Sequence, residues 1–158
     1  MKITINRLRV LEIVNNAEKL KSLSGVKLTY AITKNLKKLT SEVEVIKESN
    51  TPSEELKAYN EAYNDLVNSE AKLDELGGFI QVGNGQIKLK DGNAFHTKKA
   101  ELDEKYKDAI DQAKAKELEF EKFLKEPFEF DFYQVPIDCA PESITAEQMD
   151  LIFEMIAE

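Results

Sequence analysis

Residues 77–93, GGFIQVGNGQIKLKDGN, decide the fold because they separate two long charged segments that have the spacing of amphipathic helices. Short apolar runs typical of β-strands occupy 79–82 and 86–89. Between them, Gly83-Asn84-Gly85 tolerates the positive φ that a tight turn requires. We therefore predict a β-hairpin over about 79–90, in which the facing apolar side chains are those of Ile80, Val82, Ile87 and Leu89.

The same glycines raise the alternative of a phosphate-binding loop. Gly78 and Gly83 have the first spacing of the Walker motif, but Asn84 stands where that motif needs its lysine. The dinucleotide-binding fingerprint fails as well, because Lys88 stands where it needs glycine or alanine. We interpret the stretch as a hairpin turn, and we retain Asn84 and Gly85 at its tip as candidate interaction residues.

The segments on either side of this hairpin are predicted to form a helical arm. Apolar residues recur at near coiled-coil spacing over 28–75, with Pro52 marking a new helix or a kink, and a second helical segment covers 96–126. Because a short hairpin joins their adjacent ends, the two segments should run antiparallel. The apolar positions of the first segment are Leu28, Ile32, Leu36, Leu39, Val43, Ile46, Leu56, Tyr59, Tyr63, Leu66 and Leu73.

The two ends of the chain are predicted to form a small base. Apolar and polar residues alternate in MKITI, which is typical of a half-buried strand, and Asn6 can cap a helix over about 7–23. In 128–135 the phenylalanines alternate with acidic residues, which predicts a strand with one buried face. A final helix follows Thr145, and its apolar face is formed by Met149, Ile152, Phe153 and Ile156.

The fold class is therefore predicted as α+β and predominantly helical. We expect a single domain over 1–158, with 1–26 and 127–158 forming the base and 27–126 forming the arm with its β-hairpin tip. Thr145 and Gln148, three residues apart, have the capping-box pattern expected at the start of the last helix.

Composition limits the class of protein. The 158 residues are 42% hydrophobic and 33% charged, and no apolar run approaches the roughly 18 residues needed to span a membrane. The N-terminal sequence lacks the uninterrupted apolar stretch of a signal peptide. We expect a cytosolic protein without a membrane partner, and the single cysteine, Cys139, agrees with a reducing compartment.

The net charge of −8 hides an asymmetry along the chain. Residues 1–40 hold nine basic and two acidic side chains, hence +7, whereas 41–158 hold 13 basic and 28 acidic ones, hence −15. One interpretation is that the basic segment packs against acidic ones and the charges partly neutralise each other. The other is a basic patch for a polyanion, whose candidate residues are Lys27, Lys34, Lys37 and Lys38.

Nothing in the chain has the pattern of a catalytic or metal site. His96 is the only histidine and lies far in sequence from Cys139, so one chain cannot build a zinc site around it, although a trimer could share His96 across its axis. Asp91-Gly92-Asn93 lacks the other oxygen ligands of a calcium loop. We expect a protein that is not an enzyme and that needs no cofactor.

Two stretches carry a family resemblance: GVKLTYAITKNLKKL at 25–39 and VPIDCAPESITAEQMDLIFEMI at 135–156, separated by a charged helical middle that contains QIKLKDGN. This order resembles a family of small proteins of unknown function encoded by tailed bacteriophages and prophages. The resemblance covers nearly the whole chain. It implies a phage setting, with the protein in the host cytoplasm or in the virion, and it supplies no catalytic residues.

Three functional hypotheses follow. The first is a non-enzymatic phage protein that acts through protein–protein contacts, as a small virion or assembly component or as an accessory factor, with self-association of the arms expected. The second is an acidic inhibitor of a host defence protein that binds nucleic acid. The third, direct nucleic-acid binding by the basic segment, is disfavoured because only two arginines and no interleaved exposed aromatics accompany the lysines.

Overall fold

The computed structural model describes residues 1–157 and contains, over that range, six α-helices and three two-stranded β-sheets. The predicted α+β class with predominantly helical content is therefore confirmed. In chain order the elements are β1 (Lys2–Asn6), α1 (Arg7–Asn15), a 3-10 turn (Ala17–Leu20), α2 (Val26–Ser49), α3 (Glu54–Glu70), β2 (Gln81–Val82), β3 (Gln86–Ile87), α4 (Gly92–Lys105), α5 (Lys107–Lys125), β4 (Pro127–Asp131), β5 (Val135–Pro136), α6 (Ala146–Ile152) and β6 (Ile156–Ala157).

The chain divides into two structural units. Unit 1 comprises Met1–Thr51 and Leu118–Glu158, and unit 2 comprises Pro52–Glu117. These limits differ from the expected base and arm boundaries, because α2 contributes its apolar stripe to the core of unit 1. That stripe is therefore not free to form a coiled-coil seam with a second copy. The assignment of the whole chain to a single domain stays a prediction.

The core of unit 1 forms where α2 packs against α1, and the β1–β4 sheet and α6 contribute further apolar side chains. The antiparallel register places Ile3 opposite Phe130 and Ile5 opposite Phe128, and Phe132 is fully buried. The predicted phenylalanine face of β4 is confirmed, and the acidic residues between the phenylalanines are exposed as expected. From α2 the core receives the side chains of Leu28, Ala31, Ile32, Leu39, Val43 and Ile46.

β4 ends at Asp131, four residues before the predicted limit of 135. The backbone N–H of Phe132 still reaches the carbonyl of Met1, but β1 offers no further partner. The side chain of Asn35, which is fully buried on α2, binds the backbone of Tyr133 instead. It donates a hydrogen bond to the Tyr133 carbonyl and accepts one from the Tyr133 N–H, both at 2.8 Å. A side chain on another element thus ends the strand.

The terminal helices are shorter than their apolar patterns predict. The Asn6 cap is confirmed, but α1 ends at Asn15 and a 3-10 turn follows. The capping box of Thr145 and Gln148 is also confirmed. α6 ends at Ile152, and Ile156 belongs to β6, where it pairs in parallel with Val135 of β5. The prediction that Phe153 and Ile156 continue one helical face is therefore wrong, because pairing with β5 redirects the chain.

Ion pairs join the basic N-terminal segment to the acidic C-terminal one within unit 1. Arg9 is largely buried and binds the carboxylates of Glu154 and Asp150 at 2.7 and 2.9 Å. These bonds, chiefly the one that Arg9 donates to Glu154, raise the pKa of Arg9 above its ordinary value. Further long-range pairs are Lys2–Glu129, Lys19–Glu147 and Lys38–Asp131. The expected internal neutralisation of the charge asymmetry is confirmed for these residues.

Unit 2 is built on the antiparallel pair α3 and α4. The Tyr59 hydroxyl donates to Asp103 at 2.8 Å, and farther along the pair the rings of Tyr63 and Phe95 meet edge to face. The expected helix over 96–126 is in fact two helices, because the helical conformation is interrupted at Tyr106. The Tyr106 ring packs edge-on against the ring of Tyr59.

The helices that lead into and out of the β region of unit 2 also differ from expectation. α4 starts at Gly92 rather than 96, because the Asp91 carboxylate accepts hydrogen bonds from the N–H groups of Asn93 and Ala94. α3 ends at Glu70, so the expected continuation to about residue 75 is wrong. Leu73, which was placed on the helical seam, lies in extended chain and forms a β-bridge with Phe79.

The β region of unit 2 is a three-way junction rather than a simple hairpin. A closed ring of backbone hydrogen bonds links its centres: Lys72 N–H donates to Lys88 at 2.8 Å, Lys88 N–H to Ile80 at 2.8 Å, and Ile80 N–H to Lys72 at 3.0 Å. The three segments, 71–73, 79–81 and 87–89, are centred on these residues. In each segment, the residue before the centre pairs with one of the other segments, and the residue after the centre pairs with the other. The flanking pairs are Ala71 with Leu89, Leu73 with Phe79, and Gln81 with Ile87.

This junction corrects the predicted hairpin register. Gln81, not Ile80 or Val82, lies opposite Ile87, and Val82 lies opposite Gln86. Leu89 instead bridges to Ala71, because the chain that follows α3 adds a third segment. Three arms leave the junction: the turn over 73–79, the turn over 81–87, and the α3–α4 pair. We call the first two arm A and arm B.

We predict that Asn35→Ala lowers the free energy of unfolding by about 2–4 kcal/mol, because it leaves the N–H and C=O groups of Tyr133 without their partner. Urea denaturation followed by circular dichroism measures this loss. Asn60→Ala, at an exposed position of α3, is the matched control and should change stability by less than about 0.5 kcal/mol. Equal stability of the two variants would contradict a structural role for Asn35.

Candidate functional site

Arm A of unit 2 displays an apolar side chain on a fixed turn. The Asp74 carboxylate accepts from the N–H groups of Leu76 and Gly78 at 2.9 and 2.8 Å, and the Asp74 N–H donates to the Gly78 carbonyl. Gly77 has a φ of 81°, which favours glycine at this position. The Leu76 side chain between these constraints is 97% exposed. The turn thus holds a large apolar group in water.

Three other exposed apolar side chains lie in the same β region as Leu76. Leu73 and Phe79 are a cross-strand pair at the root of arm A, and Val82 is the first residue after the junction on arm B. All three side chains are between about two-fifths and one-half exposed. We call Leu73, Leu76, Phe79 and Val82 the apolar tip. A group of exposed apolar side chains in one small β region is suited to contact with another protein.

The candidate residues Asn84 and Gly85 form the turn of arm B. Their φ angles of 64° and 75° confirm the left-handed conformation predicted for this turn. Their part in an interaction stays a prediction. The sequence pattern gave no indication that Leu76 and Phe79 belong to one exposed turn, because residues 73–79 have the spacing of a helix end followed by a strand. The pattern that could have located this turn is Asp74 followed by Gly77-Gly78.

The four candidate lysines all lie on α2, but they differ in their surroundings. The Lys38 ammonium binds the Asp131 carboxylate at 3.0 Å and the Asp131 carbonyl at 2.7 Å. The Lys34 ammonium lies 4.2 Å from the centre of the Tyr133 ring. Within residues 1–157, Lys27 and Lys37 are exposed and pair with no carboxylate. Lys38 is thus engaged in the fold, and the other three lysines face solvent.

An aromatic pair adjoins these lysines, contrary to the expectation from sequence. Tyr30 and Tyr133 meet edge to face, with ring centres 5.4 Å apart, and are 55% and 38% exposed. Tyr133 reaches this place because Asn35 binds its backbone from a position 98 residues away. Such a separation in sequence explains why the lysine pattern on its own gave no indication of the second ring.

A separate apolar groove lies within unit 1. Its volume is about 860 Å³, and the exposed side chains of Ile137 and Phe153 form part of its wall. The few polar groups around it include Glu154, whose carboxylate is bound to Arg9. The remaining lining residues are Met1, Ile3, Gln134, Met149, Ile156 and Ala157. The groove offers contact area to an apolar partner and no reactive group.

A polar cluster lies between α3 and α4 in unit 2. Asp103 accepts a hydrogen bond from the Tyr59 hydroxyl and pairs with the Lys99 ammonium. The Lys99 bond, followed by the Tyr59 bond, lowers the pKa of Asp103 below its ordinary value near 3.8. The bond to Asp103 raises the pKa of Tyr59, and the same carboxylate raises the pKa of Lys99. The cluster favours an ionised Asp103 and ties the two helices together.

The remaining candidate residues have ordinary surroundings. His96 is exposed on α4, beside the Phe95 ring, and Cys139 is half-buried against the core of unit 1. Over residues 1–157, no three side chains from histidine, cysteine, aspartate and glutamate are grouped so that they could hold a metal ion. In the same range, every helix is too short or too polar to cross a membrane.

Comparison with known proteins identifies no relative of this chain: no family model matches it, nor does any curated protein or any solved structure.

We predict that Asp103→Asn destabilises the protein at neutral pH and that this difference disappears in acid. Because folding lowers the pKa of Asp103, the carboxylate stabilises the fold above about pH 3.8, and the contribution is lost as the pH falls through the lower pKa of the folded state. Urea denaturation between about pH 2 and pH 7 measures the difference. The control is Asp65→Asn, on an exposed position of α3. A gap that persists at the lowest pH would contradict this assignment.

Proposed function

We propose that this chain is a non-enzymatic protein that acts through protein–protein contacts, with the apolar tip of unit 2 as its contact surface. The observation that carries the proposal is Leu76, which is 97% exposed on a turn fixed by the Asp74 carboxylate and by Gly77. An exposed leucine gains nothing for the fold. Its burial in a partner contributes about 1.5–3 kcal/mol to association.

The rigidity of the tip supports the same function. The ring of hydrogen bonds at Lys72, Ile80 and Lys88 fixes the roots of both arms, and the Asp74 carboxylate fixes the end of arm A. A surface ordered before binding loses little conformational entropy on binding. Leu76, which is almost fully exposed on this turn, then has the character of an anchor for a partner pocket.

The resemblance to phage-encoded proteins supports a role as a virion or assembly component, or as an accessory factor in the host cytoplasm. The alternative of an acidic inhibitor has less support, because several carboxylates of the C-terminal segment are paired with the chain's own basic groups. Self-association through the apolar tip remains a further form of the same proposal.

A photo-crosslinking amino acid at position 76 tests the proposal directly. We expect a discrete crosslinked protein from the lysate of phage-infected cells, and a crosslinked dimer of the chain where the partner is a second copy. The matched control places the same amino acid at Leu118, which is exposed on α5 of unit 1. Identical crosslinks from both positions, or none from position 76, would refute the apolar tip as the contact surface.

We further predict that Leu76→Ser with Phe79→Ser weakens binding to the captured partner about 10- to 100-fold, because the anchor loses its apolar area. The melting temperature should stay within about 2 °C of the wild-type value, because Leu76 is almost fully exposed and Phe79 is nearly half exposed. Titration calorimetry and thermal denaturation measure the two effects. Leu118→Ser is the control, and an equal loss of affinity in that variant would count against the apolar tip.

A further inference from the structure

We propose that unit 1 carries a second binding surface, distinct from the apolar tip, that takes single-stranded nucleic acid. The surface consists of Lys27, Tyr30, Lys34 and Lys37 on α2 together with Tyr133 from the loop after β4. We call it the basic–aromatic face. The lysines bind phosphates, and the tyrosine rings stack against bases.

The charge of α2 is the first support. Residues 26–41 of this helix hold four lysines and no acidic residue, although the whole chain has a net charge of −8. Lys27, Tyr30, Lys34 and Lys37 follow one another at intervals of three, four and three residues, so they lie along one side of the helix. That side is exposed, while Leu28, Asn35 and Leu39 on the opposite side are fully buried.

The availability of these lysines is the second support. Several other basic groups of residues 1–40 are neutralised, as Arg9 is by Glu154 and Asp150, and Lys38 by Asp131. Lys27, Lys34 and Lys37 have no carboxylate partner within residues 1–157. Three unneutralised lysines on one helical face are complementary to the regularly spaced charges of a phosphate backbone.

The tyrosine pair distinguishes this face from a solvated row of lysines. Tyr30 and Tyr133 are 55% and 38% exposed, and the Lys34 ammonium lies 4.2 Å from the Tyr133 ring centre. The two hydrogen bonds from buried Asn35 fix the backbone of Tyr133. Exposed aromatic rings beside a basic track are how proteins bind single strands without sequence preference, because every base has a flat face that can stack. A duplex, whose bases are already stacked, cannot use the rings in this way.

Fluorescence anisotropy of the whole chain with a labelled oligothymidylate of about 20 nucleotides tests the proposal. We expect binding at low salt that weakens as salt rises, with a slope of log K against log salt near −2, or about −0.7 for each of three lysine–phosphate contacts. Lys34→Gln and Lys37→Gln should each reduce the slope by about 0.7. Lys122→Gln, at an exposed position of α5, should leave it unchanged.

The stacking contribution has its own test. Tyr30→Ala should weaken binding to the oligothymidylate about tenfold, whereas Tyr30→Phe, which keeps the ring, should retain it. Competition with a DNA duplex and with polyglutamate of matched charge should need a much higher concentration than competition with the unlabelled single strand. Circular dichroism of each variant confirms that unit 1 remains folded.

Three results would overturn the inference. They are no binding by the wild-type chain at low salt, equal binding by Tyr30→Ala and the wild type, and equal competition by polyglutamate, which would assign the face to an acidic protein instead. Leu76→Ser with Phe79→Ser should bind the oligothymidylate normally. Failure of the basic–aromatic face and failure of the apolar tip can therefore be told apart.

Discussion

The requirement that backbone N–H and C=O groups find hydrogen-bond partners shapes both units of this protein. In unit 1 the pairing of β1 with β4 ends at Asp131, and the side chain of Asn35 supplies the hydrogen-bond partners that the backbone of Tyr133 needs. In unit 2 three short segments satisfy one another in a closed ring at Lys72, Ile80 and Lys88. In each unit these hydrogen bonds fix a loop that carries an exposed side chain, Tyr133 in unit 1 and Leu76 in unit 2.

Charge pairing explains which surfaces remain for binding. The basic N-terminal and acidic C-terminal segments of unit 1 neutralise each other through Lys2, Arg9, Lys19 and Lys38. This pairing neutralises part of the charge asymmetry that, in the sequence, suggests a polyanion site at one end and an acidic inhibitor at the other. Within residues 1–40, the lysines left without a carboxylate partner are Lys27, Lys34 and Lys37 on α2, so the proposed nucleic-acid surface is confined to that part of the basic segment.

The two proposed surfaces follow different physical principles. The apolar tip relies on burial of Leu76 and its neighbours, which is insensitive to salt and selects a partner by shape. The basic–aromatic face relies on phosphate neutralisation and stacking, which are sensitive to salt and tolerant of sequence. Each proposed surface lies in its own structural unit.

The sequence by itself determined what depends on neighbours a few residues apart: the helical stripe of α2, the Asn6 cap, the Thr145–Gln148 capping box, the phenylalanine face of β4 and the positive φ of Asn84. Tertiary structure decided where the strands end, how the three segments of the junction pair, and that Tyr133 lies beside Tyr30. These outcomes depend on competition between partners distant in sequence, such as Asn35 and Tyr133. The spacing of residues along a helix contains no information about that competition. The lysines of the basic–aromatic face could therefore be predicted from the sequence, whereas the pairing of Tyr30 with Tyr133 could not.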